Sequence, residues 1–253
     1  MIVEDDVRVR AERCDKGEVR ITPRDEHVLN WIGEMYACSL EHLQVLFARI
    51  AGDEDLNPVS EGVVRNAIRR WRRAGWVEFK KPLSDSKGIV YLTHRGLSYF
   101  GFDYKYSPPS LALINHVNEV NRARLDIELS DKFVSWISER SLRKEEGEKD
   151  VRVKKHIPDG IVYTTDEIYV AVEVEISRKT RLRLEKIIKA LWGSRGSADE
   201  PGRYSRVMYY VTEDTSDFIE NALDEFVLTQ AHKLNQTEQE IREYFILRMI
   251  QDD

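Results

Sequence analysis

Three carboxylates fall where two neighbouring strands would bring them together. Residues 161–163 and 168–176 are rich in Val, Ile and Tyr and are separated by a short polar stretch, which predicts a β-hairpin. Side chains alternate along a strand, so Glu173 and Glu175 point to the same face, and Asp159 enters the neighbouring strand beside Glu173. Like charges repel at short range unless they are solvated, protonated or bound to a cation. An oxygen-only cluster of this kind predicts a site for Mg²⁺ or Mn²⁺.

The residues around these acids resemble the core of the PD-(D/E)xK nuclease superfamily. The matching motifs are Pro158-Asp159-Gly160, a strand with Glu173-Val174-Glu175, and a following helix with Lys186 and Lys189. The resemblance implies that the acids hold one or two divalent ions and that a lysine assists the attacking water. The expected metal ligands are therefore Asp159, Glu173 and Glu175.

The chain departs from this pattern at Glu175, where the superfamily has its lysine. In some members of the superfamily that lysine lies on the following helix, and Lys179 or Lys186 is then the expected counterpart. Other members keep the fold without catalysis. A further interpretation of the acids is a solvated sheet face with ordinary surface carboxylates.

Composition limits the class of protein. The chain has 253 residues, enough for two domains, and 42% of them are hydrophobic. No stretch approaches the ~18 apolar residues of a membrane span, and the N-terminus lacks the apolar core of a signal peptide. Cys14 and Cys38 alone cannot form a zinc site or a disulfide framework. These features predict a cytoplasmic protein with no membrane partner.

Three helices and a hairpin are predicted between residues 25 and 105. Thr22, Ser39 and Ser60 stand where the helices would begin, and apolar residues recur at helical spacing after each of them. A polar turn then separates two short strands. The preceding residues 1–24 are charged and aperiodic, and we interpret them as an N-terminal arm.

The third of these helices carries a dense basic cluster. Between Arg65 and Lys81 there are seven basic residues and one acid, Glu78, although the whole chain has a net charge of -6. Three helices followed by a hairpin resemble the winged helix-turn-helix fold, whose third helix enters the major groove. Resemblance and charge predict double-stranded DNA as the partner, contacted by Ser60, Arg65, Asn66, Arg69, Arg70, Arg73, Lys80, Lys81 and Lys87. A solvated basic face and a winged helix that binds protein are the alternatives.

The rest of the chain, residues 110–253, alternates helices and strands, as a sheet flanked by helices requires. Ser110 begins a long helix, and residues 130–141 predict a strand or a short helix. The later elements are a charged loop, a helix, a strand and two helices, predicted at residues 143–153, 180–192, 206–211, 215–234 and 238–250. We therefore expect an α+β or α/β protein with a winged helix-turn-helix domain at 25–105 and a nuclease-like domain with a mixed sheet at 110–253.

A longer pattern resembles the replication-relaxation family of bacterial plasmids, phages and other mobile elements. It consists of the winged-helix region, then His116 and Asn121 on one helix, Trp136, Glu139-Arg140, Leu142-Arg143, Pro-Asp-Gly and the strand with paired acids. The resemblance implies a DNA-binding protein that acts in replication or mobilisation of such an element. It also adds Glu139 to the candidate acids, although an ion pair with Arg140 explains that residue equally well.

Two functions remain open from the sequence. The first is a metal-dependent DNA nuclease or nickase, in which the acids hold the ion and Lys179 or Lys186 orients the attacking water. The second is a non-catalytic DNA-binding regulator whose nuclease-like domain serves homodimerisation or binds replication or mobilisation proteins. The displaced lysine favours the second function. The retention of three neighbouring carboxylates favours the first.

Overall fold

The computed structural model describes residues 19–52, 57–81, 88–148, 156–195 and 203–250. Most of the predicted N-terminal arm and the candidate DNA contact Lys87 lie outside these ranges. Within them the chain is a mixed α+β protein with two sheets, which confirms the predicted fold class at that level. None of the helices in the described ranges is long and apolar enough to cross a membrane.

The first part of the chain contains the three predicted helices and the hairpin. Its elements are α1 (Pro23–Met35), β1 (Cys38–Ser39), α2 (Leu40–Ile50), α3 (Glu61–Arg73), β2 (Val77–Lys80), β3 (Ile89–Leu92) and α4 (His94–Tyr99). Thr22 and Asp25 form a capping box that begins α1, and the Ser39 hydroxyl caps α2. The strands form an antiparallel sheet in the order β1-β3-β2, so the short β1 extends the hairpin on one side.

The second part is built on a five-stranded sheet. Its elements are α5 (Leu111–Ile127), β4 (Phe133–Ser138), α6 (Glu139–Glu148), β5 (Gly160–Thr164), β6 (Tyr169–Glu175), α7 (Arg181–Gly193), β7 (Arg206–Val211), α8 (Glu213–Leu234), α9 (Glu238–Arg242) and β8 (Phe245–Met249). The strand order is β4-β5-β6-β7-β8. Neighbouring strands are antiparallel from β4 to β6 and parallel from β6 to β8.

Two predicted elements are wrong. The charged stretch after Arg143 continues α6 to Glu148 instead of forming a loop, and Arg143 makes an ion pair one helical turn back with Glu139. The final predicted helix stops at Arg242, and the apolar run that follows becomes β8. The run is better placed as a strand because β7 offers it a free edge, along which Phe245 to Met249 pair in parallel.

The sheet has a different covering on each face. Helices α7 and α8 cover one face through a cluster that includes Leu184, Ile188 and Leu223, whereas Leu182 of α7 is exposed. The opposite face carries Val172 and Val174, which belong to one continuous apolar cluster with residues of α1, α2, α3 and α5. The two predicted domains therefore share a hydrophobic core, although the boundary between them stays a prediction.

Because of this shared core, we expect the full chain to unfold in a single thermal transition. Separating the two parts would expose apolar surface on both of them, so neither part should melt alone. Far-UV circular dichroism reports on all helices, and tryptophan fluorescence reports on Trp31, Trp71 and Trp136 within the shared cluster. Two transitions at different temperatures would contradict the shared core.

Candidate functional site

The hairpin of β5 and β6 brings the predicted acids together. Gly160 pairs with Val172, so the preceding Asp159 lies beside Glu173 on the neighbouring strand. One Asp159 carboxylate oxygen accepts a hydrogen bond of 2.8 Å from the backbone N–H of Val174. Gly160 leaves room for the ring of Trp136, which a Cβ atom at this position would approach to 2.0 Å. The Pro-Asp-Gly turn thus needs its glycine for packing and its aspartate to bridge the strands.

All three acids line one open cleft with a volume of about 1130 Å³. Glu139 at the start of α6 and Lys179 before α7 line the same cleft. Lys186, the other candidate lysine, does not. It is exposed on α7 and contributes nothing to the cleft wall. The structure therefore assembles Asp159, Glu173, Glu175 and Lys179, and leaves Lys186 outside.

The two glutamates are not surface carboxylates. Glu173 and Glu175 are 3% and 2% exposed, which rules out the solvated-face interpretation for both of them. Burial is the main cause that raises the pKa of Glu173 to about 7, with the Asp159 and Glu175 charges acting in the same direction and His156 opposing them. Burial also raises the pKa of Glu175, although Lys179 opposes this shift.

Each carboxylate has a basic partner in the cleft. His116 Nε2 lies 2.9 Å from Asp159 Oδ1, and His156 Nε2 lies 2.7 Å from Glu173 Oε1. Lys179 forms an ion pair with Glu175, four residues before it in the chain. The cleft floor is therefore a set of three acid–base pairs.

The pKa values of both histidines are raised. The hydrogen bond to Asp159 is the main cause of the raised pKa of His116. Burial lowers the pKa of His156, but the hydrogen bond to Glu173 and the charge of that residue outweigh it, and the net pKa is raised. Both rings therefore hold a proton more strongly than a solvated histidine does.

Sequence reasoning missed the role of both histidines. His116 entered only as part of a family pattern, and His156 not at all. The available signal was proximity, because His156 lies three residues before Asp159 and just outside the predicted strand. His116 is distant in sequence, and only the packing of α5 against β6 brings it to the site.

The predicted DNA contacts on α3 divide into two groups. Asn66, Arg69 and Arg73 are exposed, as is Arg72, and the described residues supply no carboxylate partner for these arginines. Arg70 instead makes two hydrogen bonds, of 2.7 and 2.9 Å, to the buried carboxylate of Asp25 in α1. The first group is available to a ligand, whereas Arg70 ties α3 to α1.

The other predicted DNA contacts lie at the ends of this surface. Arg65 pairs with Glu61 and lies over the ring of Phe79. Ser60 precedes α3 and is exposed, without a capping hydrogen bond from its side chain. Lys80 lies over the Tyr91 ring at 5.6 Å, and Lys81 is exposed. The exposed positive charge is thus concentrated at the C-terminal half of α3.

Comparison with known proteins adds no identification. No family model, no curated protein and no solved structure matches the chain. The described residues also contain no group of three or more His, Cys, Asp or Glu side chains arranged to hold a metal ion.

We expect Glu173→Gln to stabilise the protein increasingly as the pH rises from 5 to 8. The pKa of Glu173 is raised in the folded protein. Its protonation therefore adds to the free energy of unfolding at low pH, and this contribution is lost as the pH rises through about 7. The glutamine side chain of the variant does not ionise, so the variant does not lose this stability as the pH rises. The difference should reach about 1–3 kcal/mol, because one pKa unit corresponds to about 1.4 kcal/mol.

Chemical unfolding at several pH values measures this difference directly. Glu185→Gln on α7 is the matched control, since the ion pairs of Glu185 within the described part of the chain are those with Arg181 and Lys189 at the surface. A constant difference between Glu173→Gln and the parent protein across this range would show that Glu173 does not titrate there.

Proposed function

We propose that this protein binds double-stranded DNA through α3 and nicks or cleaves it in the acidic cleft with the help of Mg²⁺ or Mn²⁺. The observation that carries this proposal is the convergence of Asp159, Glu173, Glu175 and Lys179 in one open cleft. Burying neighbouring carboxylates is unfavourable, and such arrangements are characteristic of functional sites.

The order of elements around the cleft supports the nuclease assignment. Helix, three antiparallel strands, helix and parallel strand follow one another from α5 to β7, with α6 inserted after β4. This order resembles the core of PD-(D/E)xK nucleases. Lys179 supports it further, because its ammonium group pairs with Glu175 from just beyond β6. It is the expected counterpart of a lysine that has moved from the strand.

The donor atoms of the cleft suit a hard divalent cation. Carboxylate oxygens are the preferred ligands of Mg²⁺ and Mn²⁺. Glu173 has a raised pKa mainly because it is buried, and a bound cation would favour its ionised form. Asp159 and Glu173 would hold the ion, with Glu175 contributing. Binding requires His116 and His156 to share or release these oxygens, since no metal geometry is preformed in the described residues.

Each group in the cleft then has a distinct task. A divalent ion held by Asp159 and Glu173 would polarise the scissile phosphate and lower the pKa of the attacking water. Lys179 stabilises the charge that develops on the phosphate, or orients the water. The Val174 N–H and His116 both fix the orientation of the Asp159 carboxylate. Strand β6 places Glu173 and Glu175 on one face, and both are almost completely shielded from solvent.

The N-terminal part supports DNA as the partner. Its first three helices and its β1-β3-β2 sheet resemble a winged helix-turn-helix, in which α3 would enter the major groove. Arg69, Arg72 and Arg73 are exposed on the helix that this arrangement presents. Together with the resemblance to the replication-relaxation family, this supports a role in replication or mobilisation of a plasmid or phage, in the cytoplasm of its host.

One observation favours the second function, a non-catalytic DNA-binding regulator. Every acid of the cleft floor already has a basic partner, so the cluster can be stable without an ion. In that case the nuclease-like part would serve homodimerisation or binding of replication or mobilisation proteins.

We expect Arg69→Ala with Arg73→Ala to weaken binding of duplex DNA and to reduce its salt dependence. Removing one phosphate contact should lower the slope of log K against log salt by about one unit. Fluorescence anisotropy with a labelled duplex, repeated over a range of salt concentrations, gives both quantities. Lys186→Ala with Lys189→Ala removes the same charge from α7 and should change neither. Unchanged affinity and slope in the α3 variant would place DNA binding elsewhere.

We expect Mn²⁺ to raise the melting temperature of the protein and to support nicking of supercoiled plasmid DNA. The stabilisation follows from mass action, and Asp159→Asn should abolish it. Nicking should disappear in Asp159→Asn, Glu173→Gln and Lys179→Ala, and persist in Lys186→Ala, whose side chain lies outside the cleft.

The two functions predict different combinations of these results. Metal-dependent stabilisation without nicking by the parent protein would support the regulator with an ion site. The absence of both effects would contradict the nuclease proposal and leave the DNA-binding proposal standing.

A further inference from the structure

The connection between α1 and β1 contains a strained turn. Tyr36 has φ 75° and ψ −56°, and the Ala37 N–H donates a hydrogen bond of 2.9 Å to the Met35 carbonyl. These values define a γ-turn of the rarer, strained kind. A non-glycine residue adopts this conformation only where its surroundings hold it there. The contacts around residues 33–37 therefore show what holds the turn.

Arg140 at the start of α6 holds the turn from one side. Its guanidinium donates a hydrogen bond of 2.6 Å to the Gly33 carbonyl. The same group lies 4.4 Å from the ring centres of Tyr36 and of Tyr104, so it stacks against both aromatic rings. Burial lowers the pKa of Arg140, as expected for a cation largely removed from water.

Gly33 and the aromatic rings complete this contact. A Cβ atom on Gly33 would lie 2.2 Å from the Phe102 ring, so only glycine allows the approach. Phe102 stacks on Tyr104 with ring centres 5.2 Å apart. The Tyr104 hydroxyl lies 2.7 Å from the Ser141 hydroxyl of α6. The end of α1, the segment after α4 and the first turn of α6 thus form one packed unit.

Helix α5 holds the turn from the other side. Asn121 is fully buried and donates a hydrogen bond of 2.8 Å to the Ala37 carbonyl. Arg124, one turn further along, donates a hydrogen bond of 2.6 Å to Glu34. The turn is thereby held between two helices of the second part of the chain.

Both helices also reach the acidic cleft. Glu139, the neighbour of Arg140, lines the cleft, and His116, on the same helix as Asn121, contacts Asp159 there. In the other direction, Ala37 leads directly into β1 and α2, and α2 packs against α3. Residues 33–37 therefore contact α5 and α6, which reach the cleft, and lead into α2, which packs against the basic helix α3.

We propose that residues 33–37 form a coupling joint between the α3 surface and the acidic cleft, with Arg140 and Asn121 as its positioning residues. The joint holds the two sites in a fixed relative position, and loosening it from the cleft side loosens the helices that carry the basic surface. The significance of this link for DNA cleavage rests on the proposed function, whereas the mechanical coupling does not.

Hydrogen exchange of the full chain, followed by mass spectrometry, tests the coupling joint. In Arg140→Ala, amide protection should fall by about tenfold or more in β1, in α2 and around Asp159, because the variant lacks a buried hydrogen bond from a charged donor. Arg143→Ala is the matched control. It removes the same charge from the same helix. Among the ion pairs of the described residues, Arg143 pairs only with Glu139, so its loss should leave these segments protected.

If the loss of amide protection in Arg140→Ala were confined to α6 and residue 33, the proposal would be overturned. Should this variant fail to fold, Arg140→Lys keeps the charge without the planar stacking and is judged by the same criterion.

The affinity for a labelled random-sequence duplex at low salt separates the two proposals. Arg140→Ala should weaken it several-fold although Arg140 is remote from α3 in sequence. If the parent protein binds no duplex, the DNA proposal fails, and the exchange result still decides the coupling.

Discussion

The burial of Glu173 and Glu175 is the constraint on which the rest of the site depends. These two carboxylates are two residues apart on a strand, so they face the same side, and both are almost completely removed from solvent. Such charges must be neutralised by protonation, by a basic partner or by a cation. His156 and Lys179 supply basic partners, and Asp159 with His116 adds a third pair beside them. The surrounding elements can be understood as the means of holding these pairs in place.

Each neighbouring element supplies one part of this arrangement. The β5–β6 hairpin sets Asp159 against Glu173, and Gly160 permits the Trp136 ring to pack behind the turn. Helix α5 delivers His116 to the cleft while its apolar residues join the core beneath the sheet. That same core extends to the three N-terminal helices. The position of the basic surface and the geometry of the cleft are consequently not independent of one another.

The hairpin and the shared face of its two glutamates were predictable because they depend only on local alternation of side chains. The three N-terminal helices were predictable for a similar reason, since their caps and apolar spacing are local. Strand β8 was not, because its apolar residues fit a helix equally well until β7 offers an unpaired edge. The helical conformation of the charged stretch after Arg143 likewise depends on ion pairs that a charge count does not reveal.

The site shows the same division between local and distant determinants. Asp159, Glu173, Glu175 and Lys179 lie within one short stretch of sequence, and their convergence follows from strand and turn geometry. The partner of each acid does not follow from that geometry. His116 comes from a distant helix, and Arg70 is drawn from the predicted DNA surface to a buried aspartate in α1. Such pairings depend on tertiary packing, which a sequence pattern does not specify.

The buried acids are proposed to form a site for a divalent cation. Anomalous diffraction from a crystal soaked in Mn²⁺ tests it most directly, because it locates the ion independently of any activity. We expect a peak between Asp159 and Glu173, with the His156 ring either moved away from its hydrogen bond to Glu173 or bound to the ion. An absent peak, with His156 still bonded to Glu173, would contradict it.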